Sequence, residues 1–430
     1  MTQFKKHGTL FTLVLVILML SLVVSGCGNT TTTPSPEAKK TSGPVTITFW
    51  HTQNTDETKT LDSIVSDFQA KNPDIKVEVT AVPFDDAQKK YTIAAQNGDA
   101  PDVFRSEIAW TPQFASLGFL APLDNLVSKE DLADYMTAPL NYNKYQGKLW
   151  GVPQVTDALG LLYNKKMFQA AGISGAPKTM DEFVADAQKL TDAAKGQYGF
   201  FMRGDSYWLQ PFVWAYGGGL LDEQKNIFIN NAGSVKGLQF VLDLRDKYKV
   251  MPKVIDFKND YDNMQTGFKT GKYAMIFNGP WATSDILGGA EFKDAANLGV
   301  APIPTGPDGK TGSPVGGHNY VIYKDSKHID AAYKFINFIN SAENQAKFAK
   351  NNNLLPTRKS AYDLPDIKSN PLLLGFKAVL DKATNRPVIP EGGQIYTDFT
   401  PNYQAALTGQ ATPQQALDKV AEAWKKLLNK

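Results

Sequence analysis

Apolar residues alternate at Val45, Ile47 and Phe49 and again at Ile75, Val77 and Val79, and each run predicts a strand with one buried face. Between them Leu61, Ile64, Val65 and Phe68 recur at helical spacing, with Pro73 just beyond the run. Strand, helix and strand with short joins predict a βαβ unit, and therefore a mostly parallel sheet. Val103–Phe104 follows the turn residues NGDAPD and predicts a further short strand. Thr179 with Glu182 predicts a capping box ahead of Phe183 and Leu190. Val235, Leu238, Val241 and Leu242 predict a helix, as do Ile329, Ala332, Ile336 and Ile339. Tyr273 to Phe277 predicts a buried strand running into a Gly-Pro turn. A last helix is predicted from the cap Thr412, Pro413 at its first position, and Leu417, Val420, Trp424 and Leu427 on one face. No fixed-period repeat is present, which argues against a solenoid.

The chain has 430 residues. At roughly 100–200 residues per domain, two α/β lobes are expected. No Gly/Ser-rich linker separates two halves, so the chain is expected to cross between the lobes several times.

The N-terminus follows different rules. MTQFKKHG carries Lys5 and Lys6, and an apolar run of 15 residues extends from Leu10 to Val24. A membrane span needs roughly 20 residues, so a basic start and a short apolar core predict a secretory signal. Ser25 and Gly26 precede Cys27, the single cysteine of the chain. This arrangement resembles a bacterial lipoprotein signal, with Val24 where Leu is more usual. The resemblance implies removal of residues 1–26 and lipidation of Cys27, which then serves as an attachment point. Residues 27–44, rich in Thr, Ser, Pro and Lys, carry no apolar pattern and are expected to form a flexible tether. The expected location is the extracellular face of the cell membrane.

The formal net charge is +2; without Lys5 and Lys6 the chain retains 43 basic and 43 acidic side chains. A neutral body offers no field for nucleic acid. Enzyme signatures are absent. GDSYW at Gly204 to Trp208 lacks the last glycine of a nucleophile elbow, and Gly217 to Gly219 lack the spacing of a dinucleotide or phosphate loop. His51, His318 and His328 are scattered along the chain. DFKNDYDNMQTG around Asp260 mimics a calcium loop, but Gln265 stands where the turn needs glycine, so a helix start is the better reading. No cofactor or metal is predicted. A carboxylate pair such as Glu107 and Asp157 leaves an extracellular glycoside hydrolase open as an alternative.

Several aromatic residues stand in polar, turn-like contexts: Trp110 in RSEIAWTPQ, Tyr207 and Trp208 in RGDSYWLQP, Trp281 in NGPWATSD and Tyr396 in GGQIYTDF. A pyranose ring has an apolar face that aromatic planes cover and an equator of hydroxyls that Asp, Glu, Asn, Gln and Arg bind. These aromatics together predict a carbohydrate cleft.

The ordered motifs FWHTQ, NGDAPDVF, FASLGFLAPL, GKLWGVPQVTDALGLLYNKKMF, FNGPW, APIPTGPDGK and GGHNYVIYKDS are similar to those of the extracellular sugar-binding proteins of ABC importers, the group that contains maltose- and maltodextrin-binding proteins. The resemblance implies a two-lobe α/β fold joined by a multi-strand hinge, closing on an oligosaccharide that passes unaltered to membrane permease subunits. It implies lobes composed of residues 45–156 with 317–366, and 157–316 with 367–430, and a monomeric protein. It implies ligand contacts by Asp157, a hinge-side carboxylate, by Asp205, Tyr207 and Trp208, and by Trp281 as a stacking ring. Tyr396 and His318 stand where relatives often carry tryptophan. Gln53, Glu107, Trp110, Asn319 and Arg358 complete the expected site. A change of cargo to peptide, polyamine or metal on the same fold is the remaining alternative.

Overall fold

The computed structural model describes residues 44–429. The expected signal segment, Cys27 and nearly all of the tether lie outside these residues.

Ten of its strands form two sheets. β1 (Val45–His51), β2 (Ile75–Ala81), β3 (Val103–Glu107), β6 (Val152–Ala158), β11 (Val315–Ile322) and β12 (Leu355–Pro356) belong to the first, in the order β12-β6-β11-β3-β1-β2. β7 (Gly160–Asn164), β8 (Tyr198–Phe201), β9 (Tyr273–Asn278) and β10 (Leu298–Ala301) form the second, in the order β10-β7-β9-β8. A small hairpin, β4 (Lys144–Tyr145) with β5 (Lys148–Leu149), stands apart.

The first βαβ unit follows the apolar pattern. β1 and β2 pair in parallel from Val45↔Ile75 to His51↔Ala81. The helix between them, Thr55–Lys71, buries Leu61, Ile64, Val65 and Phe68. Asn54 caps it by accepting hydrogen bonds from the Asp56 and Glu57 amides. The six-stranded sheet is buried on both faces. Ile47, Phe49, Val77, Tyr320 and Phe335 pack on one face, and Tyr91, Phe104, Phe114 and Val321 on the other. The second sheet buries Leu161, Leu162, Phe200 and Phe277 against Phe183, Leu209, Phe212 and Val241.

Both sheets depart from all-parallel order for one reason. The chain leaves the first sheet at Ala158 and enters the second at Gly160, after a single buried residue, Leu159. It returns between Ala301 and Val315, and crosses again beyond Pro356. A strand entered straight from a crossing starts at the edge facing the other sheet and runs away from it. β7 is therefore antiparallel to β9 and β10, and β11 antiparallel to β3 and β6. The C-terminal edges of the remaining long strands then face one another across the crossing, where open α/β sheets place ligands.

The predicted helices are present at Ala232–Asp246, Ile329–Ile339 and Pro413–Leu427, the last with a complete Thr412–Gln415 capping box. At Thr179 the box is only half formed. The Thr179 hydroxyl accepts from the Glu182 amide, but the Glu182 carboxylate accepts from the Lys178 amide, one residue earlier than expected. Asp260 opens a helix, as read from DFKNDYDNMQTG, and its carboxylate also accepts from the Gly204 amide at 2.7 Å. Among the described residues no helix is long and apolar enough to cross a membrane.

Candidate functional site

Loops at the facing strand ends carry most of the side chains expected to bind. From the first sheet come Gln53 after β1, Glu107 and Trp110 at the end of β3, Asp157 near the end of β6 and His318 within β11. The second sheet supplies Asp205 after β8 and Trp281 after β9. Tyr207 and Trp208 lie in the first turn of the helix Ser206–Ala215, which Asp205 caps by accepting from the Tyr207 amide. Tyr396 opens the helix Tyr396–Leu407.

Asp157 is the innermost carboxylate. It is 7% exposed, and no hydrogen bond from a described residue reaches its oxygens. Burial raises its pKa to about 7; Arg386 and Arg105 oppose the rise, while Glu107 and Glu57 add to it. Gly316 makes room for it: a Cβ there would stand 2.1 Å from Asp157 Oδ1 and 3.0 Å from the Tyr207 hydroxyl. Tyr207 donates to the Pro314 carbonyl at 3.3 Å, and its ring lies 6.1 Å from that of Tyr396. Tyr396 in turn accepts from Gln210 Nε2 at 3.1 Å.

The residue that joins this group, Arg386, was not anticipated. It is buried at 6% exposure in the loop after the helix Pro371–Leu380. Its Nη2 donates to Glu107 Oε1, its Nε to the Val315 carbonyl at 2.9 Å, and its amide to the Tyr142 hydroxyl at 2.8 Å. Its guanidinium carbon lies 5.8 Å from the Tyr207 ring centre. The other oxygen of Glu107 accepts from the Ala109 amide at 2.8 Å. Both Glu107 oxygens are therefore engaged, and its work is to fix Arg386.

A second group surrounds Trp281. Its indole Nε1 donates to the Tyr261 hydroxyl at 3.1 Å, and Asn54 Nδ2 donates to its carbonyl at 3.2 Å. The ring packs against apolar residues of both sheets' cores. Trp208 is nearly buried, with its Nε1 donating to the Phe277 carbonyl and Arg203 4.0 Å from its ring centre. Arg203 also lies 5.0 Å from the Tyr261 ring and donates to Asp260 at 2.9 Å. Tyr261, Arg203 and Gln210 carried no sequence signal beyond being aromatic or polar near a turn. Asp205 keeps 37% of its side-chain surface exposed. Crowding raises its pKa; Arg203 opposes this, and the negative charges of Asp260 and Asp85 add to it.

Several polar atoms are buried without a partner here, Gln210 Oε1 and Thr156 Oγ1 among them. Neither amide atom of Gln53 and neither ring nitrogen of His318 has a hydrogen-bond partner among the described residues. Burial, with Arg105 and Arg386 nearby, lowers the His318 pKa well below its usual value, so the ring is neutral.

Three expected residues are placed differently. Asn319 is fully buried inside the first lobe, where it accepts from Asn143 Nδ2 and donates to Thr111 Oγ1. Arg358 is held by Asp131, Asp134 and the Asn340 carbonyl, over the Tyr135 ring. Their polar groups are consumed by protein partners, so both are structural. Trp110 lies between Phe84 and Phe104, with centroids 5.2 and 6.4 Å away, and offers no open ring face. No group of three or more His, Cys, Asp or Glu among the described residues is placed to hold a metal ion.

Known proteins share this fold. The GacH receptor of Streptomyces glaucescens, solved unliganded and with acarbose, superposes with a TM-score of 0.85 at 38% identity, over 89% of this chain and 98% of that one. The Thermus thermophilus maltotriose-binding protein gives 0.78 at 29% identity, over 89% and 100%. The maltodextrin-binding protein MdxE of Bacillus subtilis is 26% identical, over 89% of each chain. Residues 52–346 match the bacterial extracellular solute-binding protein family, and the chain belongs to that family.

Proposed function

We propose that this chain is the solute-binding component of an ABC importer, capturing a malto-oligosaccharide or related glucan between its lobes and releasing it unaltered to the permease. The lobes comprise residues 45–156 with 317–366, and 157–316 with 367–430. Lipid on Cys27 holds the monomer at the outer face of the membrane.

The carrying observation is two buried polar groups without partners, the Gln53 amide and the His318 ring, beside the buried Asp157 carboxylate, which Arg386 and Arg105 answer only through charge. Each such group costs roughly 1–3 kcal/mol when left unpaired. A hydroxyl-rich ligand supplies the donors and acceptors they lack. Tyr207, Tyr396 and Trp281 stand beside them to cover sugar C–H faces. Names of relatives with known ligands support glucans as the cargo. Glu107 is spent on Arg386 and the Ala109 amide, which speaks against the Glu107–Asp157 pair as a glycoside-hydrolysing dyad.

The test is a thermal-shift titration of the purified chain with maltose to maltotetraose, with reducing ends assayed in parallel. A ligand that binds only the native state raises the melting point with concentration. The expected result is such a rise with no new reducing ends. Release of reducing ends, or no shift with any glucan, overturns the reading. Within it, Trp281→Ala weakens binding by about 1–3 kcal/mol with the fold intact; unchanged affinity by calorimetry removes Trp281 from the site.

A further inference from the structure

Phe84 is a large apolar side chain left 47% exposed at the ligand-facing edge of the first sheet. Pro83 precedes it in an extended conformation, and Phe84 takes the first position of the helix Phe84–Asn97. Ala87 and Tyr91, both fully buried, fix the opposite side of that helix in the core. The Phe84 ring stacks on Trp110 at 5.2 Å and 30°, and Trp110 stacks on Phe104 at 6.4 Å and 7°. Three rings thus form a column rooted in the core and ending in one exposed ring. Its support leaves it few conformations to lose on binding, so a partner on its outer face costs little ordering entropy.

Two further observations place the end of this column at the cleft. Phe84 meets His318 edge-on at 6.0 Å, and both nitrogens of that ring lack partners. The next residue, Asp85, is exposed and lies within charge range of Asp205 on the opposite lobe. A flat apolar face and an exposed carboxylate therefore stand side by side at the cleft, with the His318 ring behind them.

We infer that Phe84 is a sugar-stacking platform for an outer ring of the ligand, with Asp85 bonding that ring's hydroxyls. The inference rests on the sugar-binding reading above and extends it: the cleft grips a chain of three or more rings, and Phe84 sets the preference for length. It takes over the stacking role expected of Trp110, which braces it from behind.

Isothermal titration of the wild type, Phe84→Ala and Phe84→Trp against maltose, maltotriose and maltotetraose tests this. Phe84→Ala is expected to leave maltose affinity unchanged and to weaken the longer ligands roughly tenfold. Phe84→Trp restores them. Because the side chain is half exposed, both variants keep the wild-type melting point. Equal affinity losses for all three sugars, or no loss for any, overturn the outer-ring assignment while leaving sugar binding standing. A wild type that binds none of the three overturns the sugar-binding reading, and this one with it.

Discussion

Arg386→Ala destabilises the protein by about 3–5 kcal/mol at pH 8 in urea unfolding, a large share of any domain's stability. The side chain is buried and answers Glu107, the Val315 carbonyl and the field of Asp157 together. Alanine leaves Glu107 Oε1 and the Val315 carbonyl buried without their donor. It also removes the nearest positive charge acting on Asp157. The Asp157 carboxyl, already raised, then holds its proton more tightly still in the folded chain. A folded pKa raised above the unfolded one costs stability as pH rises between the two values, so the deficit is greatest in base. At pH 5 the loss shrinks, because a protonated Asp157 needs no counter-charge. Arg386→Lys recovers only part, since one ammonium lacks the fork that serves a carboxylate and a carbonyl at once. A variant as stable as the wild type at pH 8, or a loss independent of pH, refutes the role given to Arg386.

Arg386 also marks where the sequence stopped being readable. Its partner Glu107 lies 279 residues away, and the intervening chain crosses between the sheets. The surrounding NRPVIPEGG reads as a polar, proline-rich loop. Helix and strand periodicity is written within ten residues, which is why the helix Thr55–Lys71 and the strand Tyr273–Asn278 were legible. Trp281 was legible for a related reason, since it follows the predicted strand Tyr273 to Phe277 through a Gly-Pro turn, whereas Asp157 was expected only from the resemblance to sugar-binding proteins. Trp110 shows the limit. Its polar neighbours suggested an open ring, yet it is buried, packed on Phe84, 26 positions earlier, and near Phe104. Asn319 and Arg358 are likewise held by partners on distant segments, which sequence spacing does not reveal.

Glucan affinity is expected to fall about tenfold per pH unit below pH 7 and to level off above it, and the cause is Asp157. Its carboxyl, with a pKa of about 7 in the folded chain against 3.8 as the ordinary value, holds a proton through the acidic range. Sugar hydroxyls donate most strongly to an ionised acceptor, so binding selects the deprotonated form and expels the proton. Calorimetry near pH 6 in two buffers of different ionisation enthalpy reads that release directly. The nearby histidines do not confuse the measurement. Burial and Arg105 lower the His51 pKa to about 4, and His318 lies well below its usual value, so both stay neutral across the range. Stability without ligand runs the opposite way. Between pH 4 and 7 the unfolded chain has lost the Asp157 proton that the folded chain retains. Unfolding therefore becomes easier as pH rises, by roughly 4 kcal/mol at most. Asp157→Asn flattens that slope and stabilises the empty protein above pH 7, while weakening the sugar complex, because an amide oxygen is a poorer acceptor than a carboxylate. Tighter binding in acid would mean that Asp157 serves as a neutral donor. Affinity constant from pH 5.5 to 8.5, with no proton released, would remove the carboxylate from the ligand's reach and make its burial a purely structural burden.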